Sequence, residues 1–316
     1  MSTTILITGG AGFIGSSLAE HLAQNDDFKI VIIDNFMTGN LAKVPQSAHN
    51  NIQFVEADVN NYDALLSIFN KHNFGSGFDY VFHYAALVGV KRTLDNPTMV
   101  LEDITGIKNI LILSKDNNVK RVFYSSSSEV YGEPVAFPQN EETTPLNSRL
   151  PYAIVKNVGE AFVRSYYQEY NLSYTIFRFF NTYGYKQSKD FVVSKYLSAA
   201  LNNEDLIVYG DGLQTRTFCF IDDNIAACTT AFLQNKFIND TINVGGENEI
   251  TILELAQTII DVTQSKSKIV HAPALKEGDM TRRCPDISKM KTLLAKDLLP
   301  LHQGLQQLLT NTSYII

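Results

Sequence analysis

Tryptophan is absent from the 316 residues, and cysteine is scarce: Cys219, Cys228 and Cys284 are the whole complement. An odd count without C-x-x-C spacing, and without a ligand pattern shared with the six histidines, excludes a disulfide framework and a zinc site. The three are read as reduced packing residues, and no metal is expected. No apolar run approaches the ~18 residues of a membrane span. Met-Ser-Thr-Thr passes directly into Ile5-Leu6-Ile7, without the basic and apolar regions of a secretory leader, so the protein is expected to be cytoplasmic. Positive charge is also in short supply. Twenty-six Lys and Arg face 33 Asp and Glu, for a net charge of −7, and no basic run stands out. That excludes a nucleic-acid surface and an acidic-membrane surface as partners. Internal repeats, low-complexity tracts and long linkers are missing as well, so the parts of the chain are expected to pack closely around one cleft.

What remains is an ordinary globular composition, 45% apolar, long enough for two domains. Thr4 to Thr8 is a short β-type run, followed by Gly9-Gly10-Ala11-Gly12-Phe13-Ile14-Gly15 and a helical stretch from Ser16 to Gln24. In a strand, glycine turn and helix, Gly9 suits the tight turn, Gly12 lets backbone approach a pyrophosphate, and Gly15 allows helix to pack on strand. A second strand, Lys29 to Ile33, ends in Asp34, where a carboxylate can bind the adenosine ribose hydroxyls. Asn35-Phe36 follows rather than an arginine, so a ribose 2′-phosphate is expected to meet a carboxylate with no counter-charge, which favours NAD over NADP.

Further strands are read at Ile52–Ala57, ending at Asp58-Val59, and at Tyr80–His83, ending at the small pair Ala85-Ala86. Others follow at Val119–Tyr124 and Tyr174–Phe179. Helical stretches near Asp63–His72, Asn96–Asn117 and Tyr152–Tyr170 separate them. This βαβ alternation predicts an α/β fold with a doubly wound parallel sheet. Residues 1–180 are expected to form a Rossmann domain and 181–316 a smaller mixed α/β substrate domain. His83, beside an apolar run, is read as a packed residue.

The densest chemistry lies between Ser125 and Lys156. Ser125-Ser126-Ser127-Ser128-Glu129 follows a buried strand, and Tyr152 and Lys156 share one face of a helix. A free phenol is a poor base near neutral pH; a fixed cation beside it is expected to favour the phenolate, which could take a proton from a hydroxyl.

With Gly9-x-x-Gly12-x-x-Gly15, the serine cluster and Tyr152-x-x-x-Lys156, the chain resembles the extended short-chain dehydrogenase/reductase family, in its group of nucleotide-sugar epimerases, dehydratases and decarboxylases. The resemblance implies that Tyr152 removes the sugar 4-hydroxyl proton while hydride leaves C4 for NAD, giving a 4-keto sugar. It also implies that Ser127 binds the reacting oxygen and that Lys156 holds the nicotinamide ribose and keeps Tyr152 ionised. Gly9, Gly12, Phe13, Ile14, Gly15, Asp34, Asn35, Asp58, Val59, Ala85, Ala86 and Ser125 would line the cofactor. Ser127, Ser128, Asn181, Arg216 and Arg283 would meet a nucleotide-diphosphate sugar, the arginines through its phosphates. A homodimer through the two helices near Asn96–Asn117 and Tyr152–Tyr170 is a further implication.

For the second step the marks are mixed. Glu129 stands where dehydratases and uronate decarboxylases carry an acid, whereas Leu87-Val88-Gly89-Val90 looks more like an epimerase. Ser128 replaces the acid expected in a hexose 4,6-dehydratase. Asp103 stands where the family usually has Asn, and Tyr185-Lys186 where Pro-Arg is common. The expected activity is 4-epimerisation. A 4,6-dehydratase or a UDP-glucuronate-type decarboxylase is the alternative carried by Glu129, and a non-catalytic NAD or nucleotide-sugar binder is the alternative of another class.

Overall fold

The computed structural model describes residues 2–133, 135–274 and 280–310. Strand and helix alternate through the first half: β1 (Thr3–Thr8), α1 (Phe13–Leu22), β2 (Phe28–Asp34), β3 (Ile52–Glu56), α2 (Tyr62–Asn70), β4 (Tyr80–His83), α3 (Val90–Asp95), α4 (Pro97–Asp116), β5 (Arg121–Ser127), α5 (Pro151–Tyr170) and β6 (Tyr174–Phe179). The second half is mixed: β7 (Thr182–Tyr183), α6 (Val192–Leu201), β8 (Leu206–Tyr209), β9 (Thr215–Thr217), β10 (Cys219–Phe220), α7 (Ile221–Leu233), β11 (Asp240–Val244), β12 (Glu249–Thr251), α8 (Ile252–Thr263), β13 (Ile269–Ala272), α9 (Ser288–Lys291) and α10 (Leu301–Thr310).

Seven strands form one sheet in the order β3-β2-β1-β4-β5-β6-β11, and every neighbouring pair is parallel. Parallel strands covered on both faces need apolar residues at nearly every position, and the strands supply them. Ile5, Ile7, Ile30 and Ile32 enter one core with α1, α6, α7 and α8. Leu6, Val31, Ile33 and Val81 enter the other with α2, α4 and α5. Among the charged exceptions is Arg121. It donates to Phe232 O (3.3 Å) and Asn235 Oδ1 (2.9 Å) at the carboxyl end of α7 and lies over the Phe123 ring at 4.6 Å, a position that suits a cation. No helix among the described residues is long and apolar enough to cross a membrane.

The seventh strand, β11, comes from beyond residue 181, so both halves of the chain share the sheet. β5 runs three residues further than its apolar run implied, which puts Ser125, Ser126 and Ser127 inside the strand and buries them. Prolines at the first turns of α4 and α5 start these two helices, and Asn171 in the left-handed region ends α5. Because the chain winds outward in both directions from β1 and β4, their carboxyl ends form the switch point at which open parallel sheets bind ligands.

Candidate active site

The glycine turn sits at that switch point. Gly9 has φ +69°, and a Cβ there would meet backbone of Tyr84 and Ala85 at 2.8 Å. A Cβ on Gly15 would lie 2.4 Å from Gly9 O, so α1 rests directly on the turn. Phe13 and Ile14 open α1, and Ala85 N donates to Thr8 Oγ1 at 3.0 Å, carrying the Ala85-Ala86 segment over the end of β1. Asp34, buried at the end of β2, accepts from Ala11 N (3.0 Å) and Phe36 N (2.8 Å). Burial raises its pKa, and the charge of Lys43 works against that rise. The expectation of no counter-charge is therefore corrected: the turn at Leu41–Lys43 folds back and brings a cation near Asp34. Gly39 closes over the same carboxylate, since a Cβ there would meet Asp34 Oδ1 at 2.6 Å. Asn35 Oδ1 accepts from Met37 N (3.1 Å) and Asp58 Oδ1 from Asn60 N (2.8 Å), each bracing its own loop. Val59 sits where a side chain on Gly106 of α4 would fall, with Cγ2 2.6 Å from the missing Cβ. Asp34 together with the tight glycine turn fits an adenosine ribose and a pyrophosphate, the demands that NAD makes on this end of a sheet.

The serines, Tyr152, Lys156 and Glu129 converge at the end of β5. Lys156 Nζ is buried and donates to Ser125 O (2.7 Å) and Ser125 Oγ (3.3 Å). Burial lowers its pKa to about 8, with Asp103 opposing. Burial raises the Tyr152 pKa and the charge of Glu129 adds to the rise, while the Ser127 hydroxyl works against it. The ammonium lies 5.8 Å from the Tyr152 ring centre and donates to Ser125 O. His83 is packed, as read: it pairs with Thr8 Oγ1 at 2.9 Å, and burial lowers its pKa to about 3.

Glu129 is the second residue of a 3-10 turn, Ser128–Tyr131, that Ser127 caps through Oγ, accepting from Glu129 N at 3.2 Å. Its two oxygens differ. Oε1 pairs with the buried Arg283 at 2.7 Å, whereas Oε2 is buried with no hydrogen-bond partner. Arg283 thus joins the Tyr152 cluster. Asn181 and Arg216 lie on neighbouring segments: Asn181 Nδ2 donates to Thr217 O (3.2 Å), and Arg216, buried in β9, donates to Thr215 O (2.7 Å). Ser128 is buried beside Glu129.

Glu160, Arg178 and Asn243 gave no sequence signal. Ser126 Oγ turns to Glu160 (2.6 Å), which also takes two bonds from Arg178, Nε at 2.8 Å and Nη2 at 2.7 Å. Arg178 continues to Tyr131 Oη (2.9 Å), and Tyr131 to Asn243 (2.7 Å). This buried chain ties α5, the 3-10 turn and β11 together. Asp103 accepts from Leu87 N (2.7 Å), and burial raises its pKa. Among the described residues no group of three or more potential metal ligands occurs.

Comparison with known proteins gives the same placement. Residues 6–295 match the family model described as GDP-mannose 4,6 dehydratase. The UDP-N-acetyl-alpha-D-glucosaminuronate decarboxylase of Bacillus cytotoxicus is 37% identical over 308 residues, covering 93% of this chain and 92% of the relative. Among solved structures, Thermotoga maritima UDP-glucose 4-epimerase with UDP-glucose superposes with a TM-score of 0.88 at 29% identity, covering 96% of both chains. Bacillus cereus UDP-glucuronic acid 4-epimerase, in complex with UDP-glucuronic acid and NAD, gives a TM-score of 0.85 at 28% identity over 99% of both.

Proposed function

Given that the chain belongs to the GDP-mannose 4,6-dehydratase family of NAD-dependent nucleotide-sugar epimerases, dehydratases and decarboxylases, we propose that it oxidises a UDP-linked uronic acid at C4 and releases the C6 carboxylate as CO2. The observation that carries this reading is the Glu129 carboxylate. A structural glutamate at a strand end would spend both oxygens on backbone donors; this one gives one oxygen to Arg283 and leaves the other buried and unpartnered beside Tyr152.

Bound NAD supplies the acceptor for the C4 hydride and returns it at the end of the cycle. Tyr152 and Ser127 hold the C4 oxygen; with its own proton released to solvent beside the Lys156 ammonium, Tyr152 takes the C4 hydroxyl proton and gives it back to that oxygen when the hydride returns. The 4-keto uronate is a β-keto acid. Its C5–C6 bond breaks, CO2 leaves, and the electron pair passes to the C4 oxygen, where Tyr152 and Ser127 hold the enolate. Arg216 and Arg283 bind the substrate diphosphate. Glu129 then delivers a proton to C5 and is reprotonated from solvent. Residues 1–180 serve as the cofactor half and 181–316 as the substrate half, with β11 returning to the shared sheet. The exposed Met99, Leu101, Ile154 and Tyr170 on α4 and α5 form the contact of a homodimer, and the three free cysteines accord with a cytoplasmic setting.

Glu129→Gln tests the proposal. It should still form NADH and the 4-keto sugar from a UDP-uronate, seen by fluorescence and mass, but turn over at a small fraction of the wild-type rate; unchanged turnover would remove Glu129 from the chemistry. C4 epimerisation is the second reading, supported by the epimerase structures that superpose and by Leu87-Val88-Gly89-Val90. It needs no C5 proton transfer, and Glu129→Gln would then turn over normally.

A further inference from the structure

We propose that Arg282, which faces away from the cleft, is a positioning residue that sets the affinity for the substrate diphosphate by fixing the inward-facing Arg283 and Arg216. The proposal rests on the reading of those two arginines as diphosphate ligands. Residues 281–286 form an extended strap bonded along both edges. Thr215 N donates to Thr281 O (3.1 Å) and Arg283 N to Thr215 O (3.2 Å) on the β9 side. Gln139 N donates to Cys284 O (2.7 Å) and Asp286 N to Gln139 O (2.8 Å) on the other. In extended backbone successive side chains point to opposite sides. Arg283 is buried against Glu129, and Arg282 emerges on the outer surface with 44% of its side chain exposed.

There Arg282 makes a fork. Nε donates to Glu249 Oε1 at 2.7 Å and Nη2 to Oε2 at 2.6 Å, and the guanidinium centre stands 3.9 Å from the centre of the Phe137 ring. Glu249 belongs to β12, whose neighbouring Ile250 pairs with Arg216 of β9. The same Glu249 oxygen accepts from Thr215 Oγ1 at 3.2 Å. One guanidinium therefore joins the strap that carries Arg283, the ribbon that carries Arg216 and the loop that carries Phe137. The hydrogen bond from Arg282 holds the Glu249 carboxyl below its usual pKa, so the pair stays ionised near neutral pH. A single exposed ion pair ordinarily contributes little stability. A planar fork stacked on a ring instead fixes direction, and binding of a diphosphate by two arginines depends on their relative placement.

The experiment measures UDP binding by calorimetry on the NAD-loaded enzyme for Arg282→Gln, Glu249→Gln, the double variant and Arg282→Lys. Each single change should weaken UDP about tenfold, and the double variant no more than either single, as for two halves of one contact. KM for the UDP-sugar should rise in parallel while kcat and NAD content stay near wild type. Arg282→Lys keeps the charge but loses the fork, so it should resemble Arg282→Gln; recovery of wild-type affinity would show that only charge matters and overturn the proposal. Additive effects in the double variant, or UDP affinity unchanged in both single variants while Arg283→Lys weakens it, would also overturn it. If Arg283→Lys itself leaves UDP binding intact, the diphosphate assignment fails, and that failure is separately visible.

Discussion

Replacing Lys156 by Met removes the buried ammonium while keeping most of the side-chain length, and the structure predicts that this variant is more stable than wild type at neutral pH. Burial carries the Lys156 pKa from 10.5 to about 8, which amounts to about 3 kcal/mol of lost proton affinity. The folded protein releases this proton at lower pH than the unfolded chain does. Between those two values the unfolded state binds more protons, so wild-type stability rises with pH; below about 8 the whole cost is present. Met removes that cost but deprives Ser125 O of its 2.7 Å donor, a loss of about 1–2 kcal/mol for a buried carbonyl. The net gain is roughly 1–2 kcal/mol near pH 7, vanishing or reversing by about pH 10. Urea unfolding of NAD-free protein at the two pH values measures it, since bound cofactor would shift both proteins. A difference that does not change with pH, or a variant that gains on wild type as pH rises, would refute the reasoning.

Three more outcomes are expected. Asp34→Ala combined with Asn35→Arg should move preference from NAD towards NADP, measured by calorimetry, because it removes the carboxylate that repels a 2′-phosphate and adds to Lys43 a second cation; unchanged preference would place the ribose elsewhere. Glu160→Gln should cost about 3–5 kcal/mol in denaturant unfolding by leaving the buried Arg178 short of its counter-ion, and a cost below about 1 kcal/mol would mean that the network relaxes freely. Ile154→Glu with Tyr170→Glu should turn a dimer into a monomer by light scattering at micromolar concentration, with the far-ultraviolet circular dichroism unchanged; a dimer that persists would put the interface on another surface.

Much of the nucleotide half could be read directly because its strands are nearly uninterrupted apolar runs and its glycines sit where backbone crowding requires them. Helices α4 and α5 fall within one residue of the stretches inferred for them. The second half was harder. Helices α6 and α7 follow short strands, and α7 carries Cys228, Thr229 and Thr230, residues with weak helix preference that burial overrides. What escaped at the site were effects of folding over distance. Lys43 approaches Asp34 only because a turn folds back, and burial and the charge of Glu129 act on the phenol of Tyr152 only once the fold brings them together. The Glu129–Arg283 pair joins residues 154 positions apart, each visible alone, with nothing in the chain to link them.

The most direct test is to incubate the wild-type enzyme with UDP-glucuronate and with UDP-N-acetylglucosaminuronate in D2O, following CO2 and the sugar product by mass and NMR. The account predicts CO2 released in step with a UDP-sugar that has lost C6 and carries one deuterium at C5. A product that keeps its C6 carboxylate, retains protium at C5 and is inverted at C4 would contradict it and identify an epimerase.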